Sequence, residues 1–291
     1  MAVTAEQVKK LRDQTGAGMM ECKNALTEAD GDFEEANTIL RKRGLASAAK
    51  KAGRVAKEGL VGHKVSGDHS SGILVEVNCE SDFVARTEDF TQLIADVIAE
   101  IEKKGGAATD AWLAEPDGPV RTRVAATIGK LGENMGVPRL VRYAGRGHVA
   151  QYIHLGGKLG VQVEFGGVTP EVAAREAFVT LTREIAMQIA AASPVAAEYV
   201  SRESIPAAVL DKERAIYRAQ MEHSGKPAAV IDKIVEGKLG SFYKQVVLLD
   251  QESIRDDKMT VRDVIAAANK TLGASVSVTR FARLKVGEQA S

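Results

Sequence analysis

The 291-residue chain is long enough for two or three compact units, and its 45% apolar and 27% charged residues suit a globular protein with a sizeable core. Lysine plus arginine equals aspartate plus glutamate at 39 each, and aromatics are only 4%, which argues against primary binding of nucleic acid through a basic surface or stacking platforms. Two separated cysteines, Cys22 and Cys79, no apolar signal core and no uncharged apolar run of about 20 residues argue against a disulfide framework, export and a membrane span, and point to the cytoplasm.

Residues 1–54 read as a helical bundle and linker. Thr4 with Gln7 forms a capping box, which satisfies free backbone donors at a helix start, and Val8 and Leu11 give that helix an apolar face. Thr15-Gly16-Ala17-Gly18 is a turn. A second helix carries Met20, Ala25, Leu26 and Ala29, and a third, opened by Asp32 and Glu35, carries Phe33, Ala36, Ile39 and Leu40, with Gly44 expected to close it. Three short helices in about 45 residues make a minimal, marginal bundle. The Ala- and Lys-rich stretch from Leu45 to Gly59 reads as a helical or flexible connector, either a solvated linker or a phosphate-touching arm.

From Gly59 the period changes from helix to strand. Leu60–Val65, a Gly67–Gly72 turn and Ile73–Cys79 predict a hairpin, and a helix follows from Thr87 with Phe90, Leu93, Ile94, Val97, Ile98 and Ile101 on one buried face. Residues 110–140 look helical, then irregular at Gly132–Pro138. The same unit recurs later. His148–Leu155 and Gly160–Phe165 read as strands around Gly156-Gly157, and Pro170 opens a helix lined by Phe178, Leu181, Ile185 and Ile189. Gly72-Ile73-Leu74-Val75-Glu76-Val77 is echoed by Gly160-Val161-Gln162-Val163-Glu164-Phe165, so we expect a core of two related α+β subdomains. Between about 206 and 247, two helical stretches broken by Ser224-Gly225-Lys226-Pro227 predict an antiparallel hairpin with a coiled-coil-like seam. So thin an arm leaves one face for a partner or for a second copy in a homodimer. A capped helix, Thr260–Leu272, and a strand placing Val276, Val278, Ala282, Leu284 and Val286 on one face, interrupted by Arg280, close the chain.

Motifs for chemistry are missing. His63, His69, His148, His154 and His223 form no His-Glu-x-x-His and lie at no metal spacing from a cysteine; no Gly-x-Ser-x-Gly occurs; and Gly16-Ala17-Gly18 and Gly156-Gly157-Lys158 lack the context of a phosphate loop. The expectation is a binding protein with no catalytic residue, metal or cofactor. One segment is unusual: Glu80-Ser81-Asp82-Phe83-Val84-Ala85-Arg86 puts two apolar residues into a short polar connection. Local physics leaves two readings, a core plug and an exposed contact, with the plug ahead and Ser81 or Asp82 capping a helical turn.

Glu76–Arg86, with its Ser81-Asp82-Phe83-Val84, is similar to a signature of the bacterial elongation factor Ts family, and Leu11–Leu26 resembles the other signature of that family. The resemblance spans nearly the whole chain. Ser81 departs from the usual threonine but keeps the hydroxyl, and the chain stops soon after its last strand, where some members add a helical module. The resemblance implies an α+β fold: a three-helix (UBA-like) bundle, residues 1–54; one core subdomain, 55–146; the first part of a second, 147–198; an inserted helical hairpin, 199–247; and the closing helix and strand, 248–291. It implies guanine-nucleotide exchange on elongation factor Tu. Asp82 and Phe83 match the pair inserted between two helices of that GTPase near its magnesium site, with Ser81 and Val84 on either side of them as further partner-binding residues. Arg12, Met19 and Met20 match an N-terminal patch docking on the same domain, bundle core for Met20 and solvent for Arg12 being the alternatives. His154 matches a contact to another domain of the GTPase, against a locally satisfied strand histidine, and Met135 joins the interface. The competing classes are an RNA- or ribosome-binding module using Lys50–Lys57, and a structural adaptor dimerising through the hairpin.

Overall fold

A computed structural model describes residues 3–288 apart from Arg146, Pro194, Glu222, His223 and Gly225. His223 and the glycine expected to break the hairpin therefore lie outside the described residues. The N-terminal bundle comprises α1 (Ala5–Thr15), α2 (Met19–Glu28) and α3 (Phe33–Lys51). The Thr4–Gln7 capping box opens α1, Gly16 closes it in the left-handed region (φ 66°), and Asp32 caps α3 by accepting from the N–H groups of Glu34 and Glu35. Val8, Leu11, Cys22, Ala25, Leu26, Ala29 and Ala36 form its core.

Gly44 does not end the third helix, which runs seven residues further, to Lys51. The glycine is needed for a close approach instead. A Cβ there would sit 3.3 Å from the carbonyl oxygen of Ala125, in a helix of the following unit. Half of the expected linker is thereby helical and packed.

The first core unit contains β1 (Glu58–Val65), β2 (Ser71–Cys79), α4 (Asp82–Ala85), α5 (Glu88–Lys104), α6 (Asp110–Leu113), α7 (Pro119–Leu131) and β3 (Gly136–Ala144). Its antiparallel sheet has the order β1-β2-β3. The second contains β4 (His148–His154), β5 (Leu159–Gly166), α8 (Pro170–Ala173), α9 (Glu176–Ala191), α10 (Ala207–Ala219), α11 (Ala228–Val246), α12 (Val261–Leu272) and β6 (Ser277–Lys285), with sheet order β4-β5-β6. In each unit, helices cover one face of the sheet over a continuous apolar cluster. The helices α10 and α11 form the expected antiparallel arm. Its root is buried through Ile205, Val246 and Val247, while Ile216 and Val230 stay exposed.

The internal repeat extends well beyond the six residues that first reveal it. Gly72–Ile101 aligns with Gly160–Ile189 without insertion: Phe90 with Phe178, Leu93 with Leu181, Val97 with Ile185 and Ile101 with Ile189, all buried. The caps of the short helices correspond too, since Ser81 accepts from the N–H of Val84 and Thr169 from that of Val172. A second block aligns α7 and β3 with α12 and β6. Gly132 and Gly273 end the helices in the left-handed region, and Arg139 and Arg280 pair across their strands with Glu76 and Glu164.

The sheets pack face to face about this pseudo-symmetry. Val61, Leu74 and Leu284 are buried between them, Gly72 lies against Gln162, and Gly160 lies against Leu74 and Val61. Polar pairs share this layer: Arg139 donates to Glu76 at 2.5 Å and Arg280 to the fully buried Glu164 at 2.7 Å. Arg280 also lies 3.9 Å from the ring centroid of Tyr143 in the opposite sheet.

Two expectations about the closing strands need correction. The segment taken as irregular around Pro138 is the start of β3. Pro138 is tolerated because β3 is an edge strand and carries an extra residue, a bulge, opposite Val77. The final strand does not keep one face. A bulge between the pairs Glu164↔Arg280 and Phe165↔Val278 shifts the alternation, so Val276 and Val278 join the helix-side core while Arg280 and Leu284 face the other sheet.

Candidate docking surface

Buried strand β2 ends at Cys79, and the chain turns at once into α4. Cys79 Sγ donates to the Ser81 carbonyl at 3.1 Å, and burial pushes the thiol up to about 11, so it keeps the proton that this contact uses. Ser81 is the N-cap of α4. Of the residues that follow, Val84 packs against the first core and Ala85 is buried, while Phe83 is 81% exposed. Within one turn of helix, adjacent positions thus send Val84 inward and Phe83 outward, and the core plug of local physics is Val84, not Phe83. Asp82 lies beside the ring and pairs with Arg86 at 2.9 Å on the surface.

The turn is also held by a loop that sequence reasoning missed. Glu133, just past α7, accepts from Glu80 N (3.1 Å), Ser81 N (3.0 Å) and Ser81 Oγ (2.6 Å). Asn134 N in turn donates to Glu80 Oε1 at 2.6 Å. The only sequence signal was a polar pair after the helix-ending Gly132, which named no partner.

Arg12 sits in the last turn of α1, half-exposed and paired with Asp13, while Met19 and Met20 open α2 at 47% and 64% exposure. Neither methionine belongs to the bundle core. Arg12, Gly16, Met19 and Glu21 line a groove completed by Gly129 and Lys130 of α7. Lys130 also bonds Asp89 at the start of α5 at 2.6 Å. The C-terminal end of α7 therefore borders the methionine patch through Lys130 and holds the Phe83 turn through Glu133.

His154 belongs to a different part of the surface, at the end of β4, where it is exposed and Tyr152 Oη lies 2.8 Å from its Nδ1. Leu155, expected as the end of that strand, instead opens the following turn in the left-handed region (φ 51°) and is 71% exposed. It is a second protruding apolar residue that the sequence did not single out. Met135 does not line a surface. It is 4% exposed within the first core, as its counterpart Val276 is in the second, because the residue entering the third strand of each unit points to the helix side. Among the described residues, no group of three His, Cys, Asp or Glu side chains is placed to hold a metal ion, and no helix is long and apolar enough to cross a membrane.

Fold and site together define an α+β protein with a duplicated core and apolar side chains held outward on short turns. The chain matches the family described as Elongation factor TS over residues 80–288. It is 42% identical over 294 residues to elongation factor Ts of Trichlorobacter lovleyi, covering 99% of this chain and 94% of the relative. To elongation factor Ts of Aquifex aeolicus it is 44% identical over 297 residues, covering 99% of each. To that of Clostridium botulinum (strain Eklund 17B / Type B) it is 43% identical over 291 residues, covering 98% of this chain and 93% of the relative. The chain belongs to the elongation factor Ts family.

Proposed function

We propose that this protein is a guanine-nucleotide exchange factor of translation elongation, acting in the cytoplasm on elongation factor Tu without catalytic chemistry of its own. Phe83 and Asp82 enter between helices of the GTPase beside its magnesium and phosphate site; Arg12, Met19 and Met20 dock on the same domain; His154 touches another. The observation that carries this reading is Phe83, a large apolar ring 81% exposed on a turn that Glu133 clamps. The internal repeat supplies a control: the equivalent turn in the second unit carries Glu171 in that place, so the fold does not require the ring.

Exchange needs only linkage. A factor that binds the nucleotide-free GTPase more tightly than the GDP-bound form weakens GDP by the same factor, and by stabilising that state it lowers the barrier to release. A stiff aromatic wedge suits the task because it loses little side-chain freedom on insertion. The test is release of fluorescent GDP from elongation factor Tu. The protein should accelerate it at catalytic concentrations, and no acceleration at stoichiometric concentration overturns the reading.

A further inference from the structure

We infer that Glu133 is a positioning residue for the docking turn: its carboxylate holds the Ser81 turn in the conformation that presents Asp82 and Phe83, before any partner arrives. This inference rests on the exchange reading above. The carboxylate takes three donors from two consecutive residues, and both N–H groups precede the first turn of a helix only four residues long. So short a helix cannot hold itself, because nucleation costs more than one hydrogen bond returns. Charge-assisted bonds from N–H and O–H groups to a carboxylate are the strong class. The anchor is itself fixed: Gly132 ends α7 in the left-handed region and turns the chain, and Asn134 ties back to Glu80 Oε1 and to the Arg54 carbonyl.

The duplicated unit shows that a carboxylate at this place is not a demand of the fold. In the second copy the helix-ending glycine is Gly273 and the residue after it is Ala274, which has no side-chain acceptor. The capped turn still forms there, with Thr169 accepting from the N–H of Val172 at 3.3 Å. Within one chain, the copy that presents an exposed aromatic has the carboxylate, and the copy that presents Glu171 does not. The second turn is tied to its own helix end differently, by Arg175 just after α8, which donates to the Leu272 and Thr271 carbonyls at 2.6 and 2.9 Å and leaves the N–H groups before the turn without a carboxylate. A turn that must press a side chain into another protein needs its geometry fixed, since a partner's affinity is reduced by the fraction of time the turn is misplaced.

The experiment measures GDP release from elongation factor Tu over a range of concentrations of the full-length protein. Glu133→Ala should raise the half-saturating concentration about tenfold and leave the rate at saturation unchanged, since the lost interaction orders the free protein. Glu133→Gln, whose amide oxygen still accepts from both N–H groups but without the charge, should give a value no lower than that of the wild type and no higher than that of Glu133→Ala. In a background lacking both contact side chains (Asp82→Ala with Phe83→Ala), adding Glu133→Ala should change the half-saturating concentration less than about twofold, because nothing is left to position. An equal loss in both backgrounds overturns the inference. If the Asp82→Ala, Phe83→Ala protein itself exchanges normally, the docking reading fails instead, and the two failures are told apart.

Discussion

At the scale of the residue, Phe83 carries the sharpest expectation. A buried phenylalanine cut to alanine costs about 3–5 kcal/mol, whereas a surface substitution away from special features stays within about 0.5 kcal/mol. Phe83 is 81% exposed, so Phe83→Ala should leave the thermal melt unchanged while slowing GDP release well over tenfold. A large fall in melting temperature with normal exchange would restore the core plug. The sequence pattern could not make this choice: Phe83 and Val84 are adjacent apolar residues, and only the phase of a four-residue helix sends one outward and the other into the core. It was resemblance to a family signature that favoured exposure. The same transfer put Met135 on the surface, where the strand entry buries it, and had nothing to say of Glu133, whose partners lie more than fifty residues earlier.

At the scale of the element, the contact of α3 with α7 joins the bundle to the core. Gly44 lies where a Cβ meets a backbone oxygen, and backbone cannot step aside as a side-chain tip can. Gly44→Val should therefore part the two helices at a cost of about 1–3 kcal/mol, the range of overpacking. Amide exchange should rise across α1–α3 while β2 and β5 stay protected; uniform protection would show that the helices slide without parting. Helix period, capping boxes and strand alternation were legible wherever one rule acted alone, as at Thr4, Thr260 and Phe90–Ile101. They failed where tertiary contact overrode a local cue. Glycine is a stop signal in an isolated helix, yet Gly44 is a contact residue in the middle of one. Proline argues against a strand, yet Pro138 sits at a bulge on an edge. A bulge also undid the single face read for the last strand, because one extra residue moves every later side chain to the other side.

At the scale of the whole molecule, two homologous sheets facing one another leave a half-polar layer between units, and its rim contains a titratable pair. His69 in the β1–β2 turn stacks on His148 of β4 with ring centroids 4.4 Å apart and planes 8° from parallel, and Phe178 meets His148 edge-on at 5.0 Å. The same turn is bonded to the second unit through Val149, whose N–H donates to the His69 carbonyl and whose carbonyl lies 2.9 Å from His69 Nδ1. Burial first, and the neighbouring His69 second, hold the pKa of His148 below its ordinary 6.5. The folded state then binds protons less readily than the unfolded chain. The contribution is whole above pH 6.5 and is lost as the pH falls through the depressed folded value. Stability should accordingly decline on acidification below about pH 6.5. His148→Phe keeps an aromatic ring against His69 and Phe178 but cannot take a proton, so it should flatten that slope. A melting temperature with the same pH dependence in the variant would locate the acid sensitivity elsewhere. Because the stack joins the first unit, which carries Phe83, to the second, which carries His154, acid should loosen the spacing between these two proposed contacts, and exchange should weaken over the same interval as stability.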